Sequence, residues 1–166
     1  MDVASQDYRQ QLTDILVKHY EDIEVVDPMH IMLDRFEKDQ VNLFALFADL
    51  NDRPFLEKKT LPKPVLGVID TFYDLMEAVR QSNVVIAYLP KHDLSMGTAM
   101  EMWHARALGK YVITITEMKH NLAILSSSDL ICSSIEHFAE LMENKTIDLD
   151  AALANEMEEP VYRKYL

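Results

Sequence analysis

Residues 83–116 read NVVIAYLPKHDLSMGTAMEMWHARALGKYVITIT, with two apolar runs separated by a polar loop and a helical stretch. VVIAYL (84–89) and YVITIT (111–116) are rich in β-branched residues, which is typical of buried strands in a parallel sheet. Between them the sequence predicts a helix at about 97–108. Gly109 follows as the kind of residue that ends a helix. This strand–helix–strand unit decides the fold, and we expect VVIAYL to be a central strand.

The periodicity of apolar residues predicts further elements on both sides of this unit. From the amino terminus they are a helix over 5–20, a short strand IEVVD over 23–27, helical pieces within 29–50, a proline-rich loop over 51–64, a helix over 67–82, a strand over 128–133, a helix over 135–144, and a tail with a helix and an extended end. Such alternation predicts an α/β fold: a doubly wound, Rossmann-like or flavodoxin-like parallel sheet with helices on both faces. At 166 residues, a single domain over 1–166 is expected.

Composition excludes several classes of protein. The net charge of −12 disfavours nucleic-acid binding, because phosphodiester backbones repel an acidic surface. No apolar run is long enough to span a membrane, and the start lacks the features of a signal peptide. The one cysteine, Cys132, lies in an apolar run and is predicted to be a buried structural thiol, which suits a reducing cytoplasm.

Cofactor and metal motifs are missing from the sequence. Only three glycines occur, Gly67, Gly97 and Gly109, so neither GxGxxG nor the P-loop pattern is present. HExxH is also absent, and the histidines form no ligand-like pair on one helix face. We therefore expect no cofactor and no metal.

The segment Ser95-Met96-Gly97-Thr98 follows the first strand, where ligands of open parallel sheets collect. Gly97 allows close approach of the backbone, while Ser95 and Thr98 offer hydroxyls beside the free N–H groups of a helix start. Glu101 lies one turn further on, and its side chain leans back toward the helix amino terminus. The segment therefore fits a phosphate site with a carboxylate beside it. The alternatives are that Ser95 is only an N-cap and Glu101 a solvated surface residue.

The stretch 83–116 resembles the core of the nucleoside 2-deoxyribosyltransferase superfamily, and the resemblance is weak before residue 67. The family pattern [D/S]-x-G-x-x-x-E reads Ser95-x-Gly97-x-x-x-Glu101 here, followed by Gly109-Lys110 and an apolar strand. In that family the glutamate is the nucleophile that attacks the anomeric carbon and releases the base. The resemblance thus implies this role for Glu101.

The first position of the pattern discriminates between branches of the family. The nucleoside transferases usually have Asp there, whereas the branch that hydrolyses nucleoside 5′-monophosphates has Ser, which hydrogen-bonds the phosphate. This chain has Ser95. A hydroxyl can donate to a dianionic phosphate, whereas a carboxylate would repel it. The resemblance therefore implies a 5′-nucleotide as the small-molecule substrate.

An acid is also needed to protonate the leaving base. The family usually has an Asp in the helix before the first strand, and Asp70, Asp74 and Glu77 are the candidates here. Asp74 lies nearest the family spacing but one residue out of register. The alternative is that all three cap or solvate that helix.

Three weaker features could also line the site. Asp27-Pro28-Met29-His30 follows the predicted strand IEVVD, His120-Asn121 follows YVITIT, and the serines of LSSSDL (125–130) could reach a neighbouring subunit's phosphate. Ordinary turn residues are the alternative for each. The family begins with a strand that is here missing or shortened to Asp2-Val3-Ala4. The resemblance also implies a homo-oligomer whose subunits complete one another's sites.

Four functions remain open. The first is an N-glycosidase acting on (deoxy)nucleoside 5′-monophosphates, and the second is a deoxyribosyltransferase acting on free nucleosides. The third is a phosphoribohydrolase of the lysine-decarboxylase-like family, whose PGGxGTxxE signature shares Gly97-Thr98-x-x-Glu101 but has a glycine pair that this chain lacks. The fourth is a non-catalytic nucleotide sensor on the same fold.

Overall fold

Helices and strands alternate along the chain in the computed structural model, which describes residues 7–39, 48, 50–93, 95–147 and 149–154. The strands are β1 (Val84–Leu89), β2 (Tyr111–Thr116) and β3 (Leu130–Cys132). Among the described residues the helices are α1 (Asp7–His19), α2 (Pro28–Asp39), α3 (Lys63–Gln81), α4 (Met96–Ala107), α5 (Leu122–Ser127), α6 (Ile135–Glu143) and α7 (Asp150–Leu153), and a 3₁₀ turn lies at Lys58–Thr60.

The three strands form an open, all-parallel sheet in the order β1-β2-β3. Val84 pairs with Tyr111 at one end of the β1–β2 ladder and Leu89 with Thr116 at the other. The α/β class predicted from the sequence is therefore confirmed. Within the described residues, however, the central strand is β2 and not VVIAYL. The burial pattern gives the reason, since every β2 residue after Tyr111 is buried whereas β1 residues are mostly half-buried.

Helices cover both faces of the sheet, as a doubly wound fold requires. Ile113 and Ile115 of β2 pack on one face with α1 and α6. Val112, which points the opposite way because side chains alternate along a strand, packs on the other face with α4 and α5. The largest side chain among those fully buried is Phe138 of α6, at 0% exposure. The prediction that Cys132 is buried is also confirmed.

The predicted strand over 23–27 is wrong. These residues have no regular secondary structure, and Val26 is 48% exposed. Asp27 instead caps α2, because its carboxylate accepts a hydrogen bond from Met29 N at 2.9 Å. Pro28 opens that helix, where its missing N–H costs nothing. The segment Asp27–His30 is thus a helix start, and it does not follow a strand.

Two helices differ from the prediction at their boundaries. Helix α3 begins at Lys63, four residues before the predicted start at 67, because Pro64 lies in the first turn, where proline is tolerated. Helix α5 was missed, since its six residues are too few to show a period. The predicted end of α4 is confirmed by Gly109, whose φ of 74° is left-handed.

The described residues group into two compact units, one over Val26–Ala78 and the other from the rest of the chain. The single domain over 1–166 stays a prediction. The predicted strand Asp2-Val3-Ala4 and most of the predicted helix VNLFALFADL lie outside the described residues, as does the chain after Ala154. None of the described helices is long and apolar enough to cross a membrane.

Candidate functional site

The start of α4 is built around the Ser95 hydroxyl. Ser95 Oγ accepts a hydrogen bond from Thr98 N at 3.2 Å and a second from Thr98 Oγ1 at 2.9 Å. Ser95 is therefore the N-cap of α4, which satisfies one donor of the first turn. Because the hydroxyl accepts both bonds, its own hydrogen can still be donated to a ligand.

The first turn of α4 also presents backbone donors at the carboxyl end of β1. The first N–H groups of a helix have no intrahelical acceptors. Here the N–H of Thr98 donates to Ser95 Oγ. Gly97, half-buried in this turn, has no Cβ to keep a ligand from the backbone. Ser95, Gly97 and Thr98 thus lie together, as the sequence predicts, and form a suitable environment for an anion.

Glu101 lies one turn into α4 and is partly buried. Burial raises the pKa of its carboxyl above the usual range, and the positive charge of Arg9 opposes that rise. A partly buried carboxyl with a raised pKa differs from the fully solvated glutamate of the alternative interpretation. The catalytic role of Glu101 stays a prediction.

Arg9 is the residue near the site that sequence reasoning missed. It belongs to α1, and its Cζ lies 5.1 Å from the centroid of the Tyr8 ring. Tyr8 in turn packs on Tyr88 of β1, with ring centroids 4.5 Å apart. Tyr8 and Arg9 lie within the helix predicted over 5–20, but nothing local in the sequence connects Arg9 with Glu101.

The candidate acids lie on α3. Asp70, Asp74 and Glu77 are all exposed, whereas Thr71 and Leu75 form part of the buried face of that helix. They belong to the unit over Val26–Ala78, and Glu101 belongs to the other unit. The catalytic role of Asp74 and the substrate-binding role of Asp70 stay predictions.

Asn121 caps α5. Its side-chain oxygen accepts hydrogen bonds from Ala123 N at 2.9 Å and from Ile124 N at 3.4 Å. The neighbouring serines make bonds of the same local kind, since Ser126 Oγ donates to Ala123 O and Ser128 Oγ to Ile124 O. The side-chain nitrogen of Asn121 can still donate. Contact of Asn121 with a substrate therefore stays a prediction beside its observed capping role.

Comparison with protein-family models, with curated proteins and with solved structures finds no match. The resemblance to the nucleoside 2-deoxyribosyltransferase superfamily therefore rests on the motif around Ser95 and Glu101. Across the described ranges, no group of three or more His, Cys, Asp and Glu side chains is arranged to hold a metal ion.

Replacing Glu101 with glutamine is expected to stabilise the protein at neutral pH but not at low pH. Because burial raises the pKa of Glu101 in the folded state, folding favours the protonated form. Below the unfolded pKa, about 4.3, the carboxyl is protonated in both states and burying it carries no cost in charge. The cost of burying the charged form builds up between the unfolded and the folded pKa and is complete above the folded pKa. Urea unfolding at pH 4 and pH 7 should show an advantage for Glu101→Gln only at pH 7.

The matched control for this stability measurement is Glu140→Gln, which neutralises an exposed glutamate on α6. Comparing each variant with the native protein at the same pH cancels the titration of all other groups. An equal difference between native protein and Glu101→Gln at both pH values would contradict the assigned effect of burial on Glu101.

Proposed function

We propose that this protein hydrolyses the N-glycosidic bond of a (deoxy)nucleoside 5′-monophosphate to free base and sugar 5-phosphate. The observation that carries the proposal is a partly buried Glu101 one turn beyond a capped helix start at the carboxyl end of a parallel strand. One helical turn, about 5.4 Å along the helix axis, separates the backbone donors from Glu101. The motif resemblance gives the same assignment.

The reaction proceeds in two displacements. A carboxylate oxygen of Glu101 bonds to C1′ while the bond from C1′ to the base nitrogen breaks, through a transition state of oxocarbenium character. An acid protonates the departing base, and Asp74 is the proposed acid, with Asp70 as a substrate-binding residue. Water then attacks C1′, its hydroxyl stays on the sugar, and its second proton returns to the acid–base residue. Glu101 is regenerated as a carboxylate.

The phosphate is proposed to bind at the start of α4. Ser95 Oγ–H and the backbone N–H of Gly97 would donate to its oxygens, and the helix dipole favours the negative charge there. The Thr98 hydroxyl already donates to Ser95 and so orients it. A serine at this position is compatible with a dianion, which supports the monophosphate over a free nucleoside.

The proposal is tested with a panel of ribo- and deoxyribonucleosides, each with and without a 5′-phosphate, and free base is measured by chromatography. Base should appear from at least one monophosphate and much more slowly from the matching nucleoside. Base exchange in the presence of an acceptor base, with free nucleosides preferred, would support the transferase instead. Tight nucleotide binding without base release would support the non-catalytic sensor.

Ser95→Ala is expected to raise KM for the monophosphate about 10- to 100-fold, because a hydrogen bond to a charged group is worth about 1.5–3 kcal/mol. The substitution also removes the N-cap, at about 1 kcal/mol of stability. Ser95→Asp separates the two effects, since Asp caps a helix as well as Ser but repels phosphate. KM should rise further in Ser95→Asp while stability is kept. An unchanged KM in both variants would contradict the proposed contact between Ser95 and the phosphate.

We further propose that the protein is a homo-oligomer and acts in the cytoplasm, where its one cysteine, the buried Cys132, would stay reduced. Helices α4 and α5 pack together and expose apolar side chains, including Met96 at 80%, Trp103 at 54% and Leu122 at 81%. Exposed apolar surface of this kind is typical of subunit contacts.

The oligomer proposal predicts that Trp103→Glu lowers the molecular mass measured by light scattering. A glutamate at position 103 would be buried in the proposed interface, and the cost of burying its charge would oppose association. Val17→Glu, at an exposed apolar position of α1, should leave the mass unchanged. A native protein that is already monomeric, or a mass unaffected by Trp103→Glu, would contradict the proposed interface.

A further inference from the structure

The loop that leads from β1 into α4 contains a lysine with a left-handed backbone conformation. Lys91 has a φ of 55°. It is the second residue of a turn that is closed by a hydrogen bond from Asp93 N to Pro90 O at 3.1 Å. Turns with a positive φ at this position ordinarily have Gly, Asn or Asp there, because the left-handed region crowds a Cβ atom. Lys91 therefore has a conformation that its residue type disfavours.

A second left-handed lysine shows how such a conformation is ordinarily explained. Lys145, with a φ of 51°, follows α6. Lys145 N donates to Met142 O at 3.1 Å and Thr146 N to Leu141 O at 3.0 Å. Bonds of this kind end a helix, and a left-handed residue is common there. Lys91 instead lies between a strand and the next helix, so its conformation lacks this explanation, and strained residues of this kind are concentrated at functional sites.

Lys91 also has the positive charge that the start of α4 lacks. In its first two turns the only charged side chain of α4 is that of Glu101. A phosphate dianion bound there would therefore meet a carboxylate but no cation of the same helix. Lys91 precedes Ser95 by four residues, and so short a segment spans at most about 13–14 Å. Because the turn shortens this distance and the exposed lysine side chain is long and flexible, its ammonium group can reach a ligand at Ser95.

We propose that Lys91 is a further substrate-binding residue, whose ammonium group pairs with the 5′-phosphate of a nucleotide at the start of α4. This inference rests on the proposed function, which places that phosphate on Ser95 and Gly97. The charge of Lys91 adds to their hydrogen bonds and offsets the repulsion between the phosphate and the Glu101 carboxylate. Because a free nucleoside offers no charge to pair with, Lys91 favours the monophosphate.

A lysine at this turn, where glycine is the usual residue, then has a physical reason. Glycine would adopt the left-handed φ without steric cost, but it carries no charge. Residues that bind a ligand are often kept at a cost in stability. Position 91 is therefore expected to trade stability for affinity, so that a substitution by glycine changes the two properties in opposite directions.

The experiment measures dissociation constants by calorimetry for nucleoside 5′-monophosphates, the matching nucleosides and inorganic phosphate. All proteins carry Glu101→Gln, so that bound nucleotide is not turned over. Lys91→Met should raise the dissociation constant of the monophosphate about 3- to 10-fold, between the effect of an exposed ion pair and that of a hydrogen bond to a charged group. The difference should largely vanish at about 1 M salt, where the Debye length is about 3 Å. Nucleoside affinity should not change, and Lys91→Arg should keep most of the affinity for the monophosphate.

Lys91→Gly should weaken binding of the monophosphate as much as Lys91→Met does, yet it should be at least as stable as the native protein in urea unfolding. The matched controls are Lys145→Met and Lys145→Gly, which change a lysine of the same backbone conformation. Because α6 returns from the carboxyl end of β3, its last turn lies at the opposite edge of the sheet from the start of α4. Both controls should leave the affinity for the monophosphate unchanged.

The outcomes separate this inference from the proposed function. An affinity for the monophosphate that is unchanged in Lys91→Met and Lys91→Gly, or that falls equally in Lys145→Met, overturns the role of Lys91, even where the native protein releases base. A protein that binds neither a monophosphate nor inorganic phosphate overturns it as well. Affinity that depends on Lys91, without base release by the native protein from any nucleotide, keeps the contact with Lys91 and contradicts the glycosidase. If Lys91→Met fails to fold, Lys91→Gly gives the same comparison.

Discussion

Replacing Glu101 with alanine is expected to lower the turnover of the nucleoside monophosphate at least about 10³-fold, as for removal of a nucleophile. Alanine leaves no oxygen that could bond to C1′, while the helix start proposed to bind the phosphate is untouched. Nucleotide affinity should therefore be largely kept. Turnover is measured from free base by chromatography, and the dissociation constant by calorimetry.

The control for this loss is Glu140→Ala, which removes an exposed glutamate from α6. It should retain native turnover. Glu101→Gln should be as inactive as Glu101→Ala, because a neutral amide is a poor nucleophile, even though we expect it to be more stable at pH 7. An inactive variant that is more stable than the native protein would exclude misfolding as the cause. Native turnover in Glu101→Ala would contradict the assignment of Glu101 as the nucleophile.

Phe138→Ala is expected to lower the free energy of unfolding by about 3–5 kcal/mol, the cost of removing a large aromatic ring from a packed core. Phe138 is 0% exposed and belongs to the cluster that joins α6 to Leu12 and Leu16 of α1 and to Ile113 of β2. Because α1 carries Arg9 and Tyr8, loosening this cluster should also disturb the candidate site. Urea unfolding followed by circular dichroism measures the loss.

Glu140→Ala is the control here as well, since it lies two residues further along α6 with its side chain in solvent. A surface substitution of this kind usually changes stability by less than about 0.5 kcal/mol. A loss in Phe138→Ala no larger than in Glu140→Ala would mean that α6 does not pack on the sheet as described.

The strand–helix–strand unit over 83–116 was predictable because its signals are local. VVIAYL and YVITIT are β-branched runs, and Gly109 has the left-handed φ that ends a helix. The strand predicted over 23–27 failed for the opposite reason. Its valines are apolar enough for a strand, but whether they find a partner depends on the rest of the fold. The neighbouring Asp27-Pro28 is a better helix start than a strand end.

The candidate site was likewise predictable only where its residues are neighbours in the chain. Ser95, Gly97 and Thr98 come together because they are adjacent in the chain, and Glu101 follows by one helical turn. Arg9 and Tyr8 reach the same region only through the packing of α1 against β1, which leaves no pattern in the local sequence. The partial burial of Glu101 is likewise a property of tertiary structure. It raises the pKa of that carboxyl, which the motif alone does not predict.

The most direct measurement uses a nucleoside monophosphate that carries fluorine at C2′. Fluorine disfavours positive charge at C1′ and slows both displacements, so a glycosyl-enzyme can accumulate. After acid quench and proteolysis, mass spectrometry should find the sugar phosphate bound to the peptide that contains Glu101, at one per chain, and none in Glu101→Gln. Sugar phosphate on a different carboxylate, or base released from the analogue by Glu101→Gln at the native rate, would contradict the account.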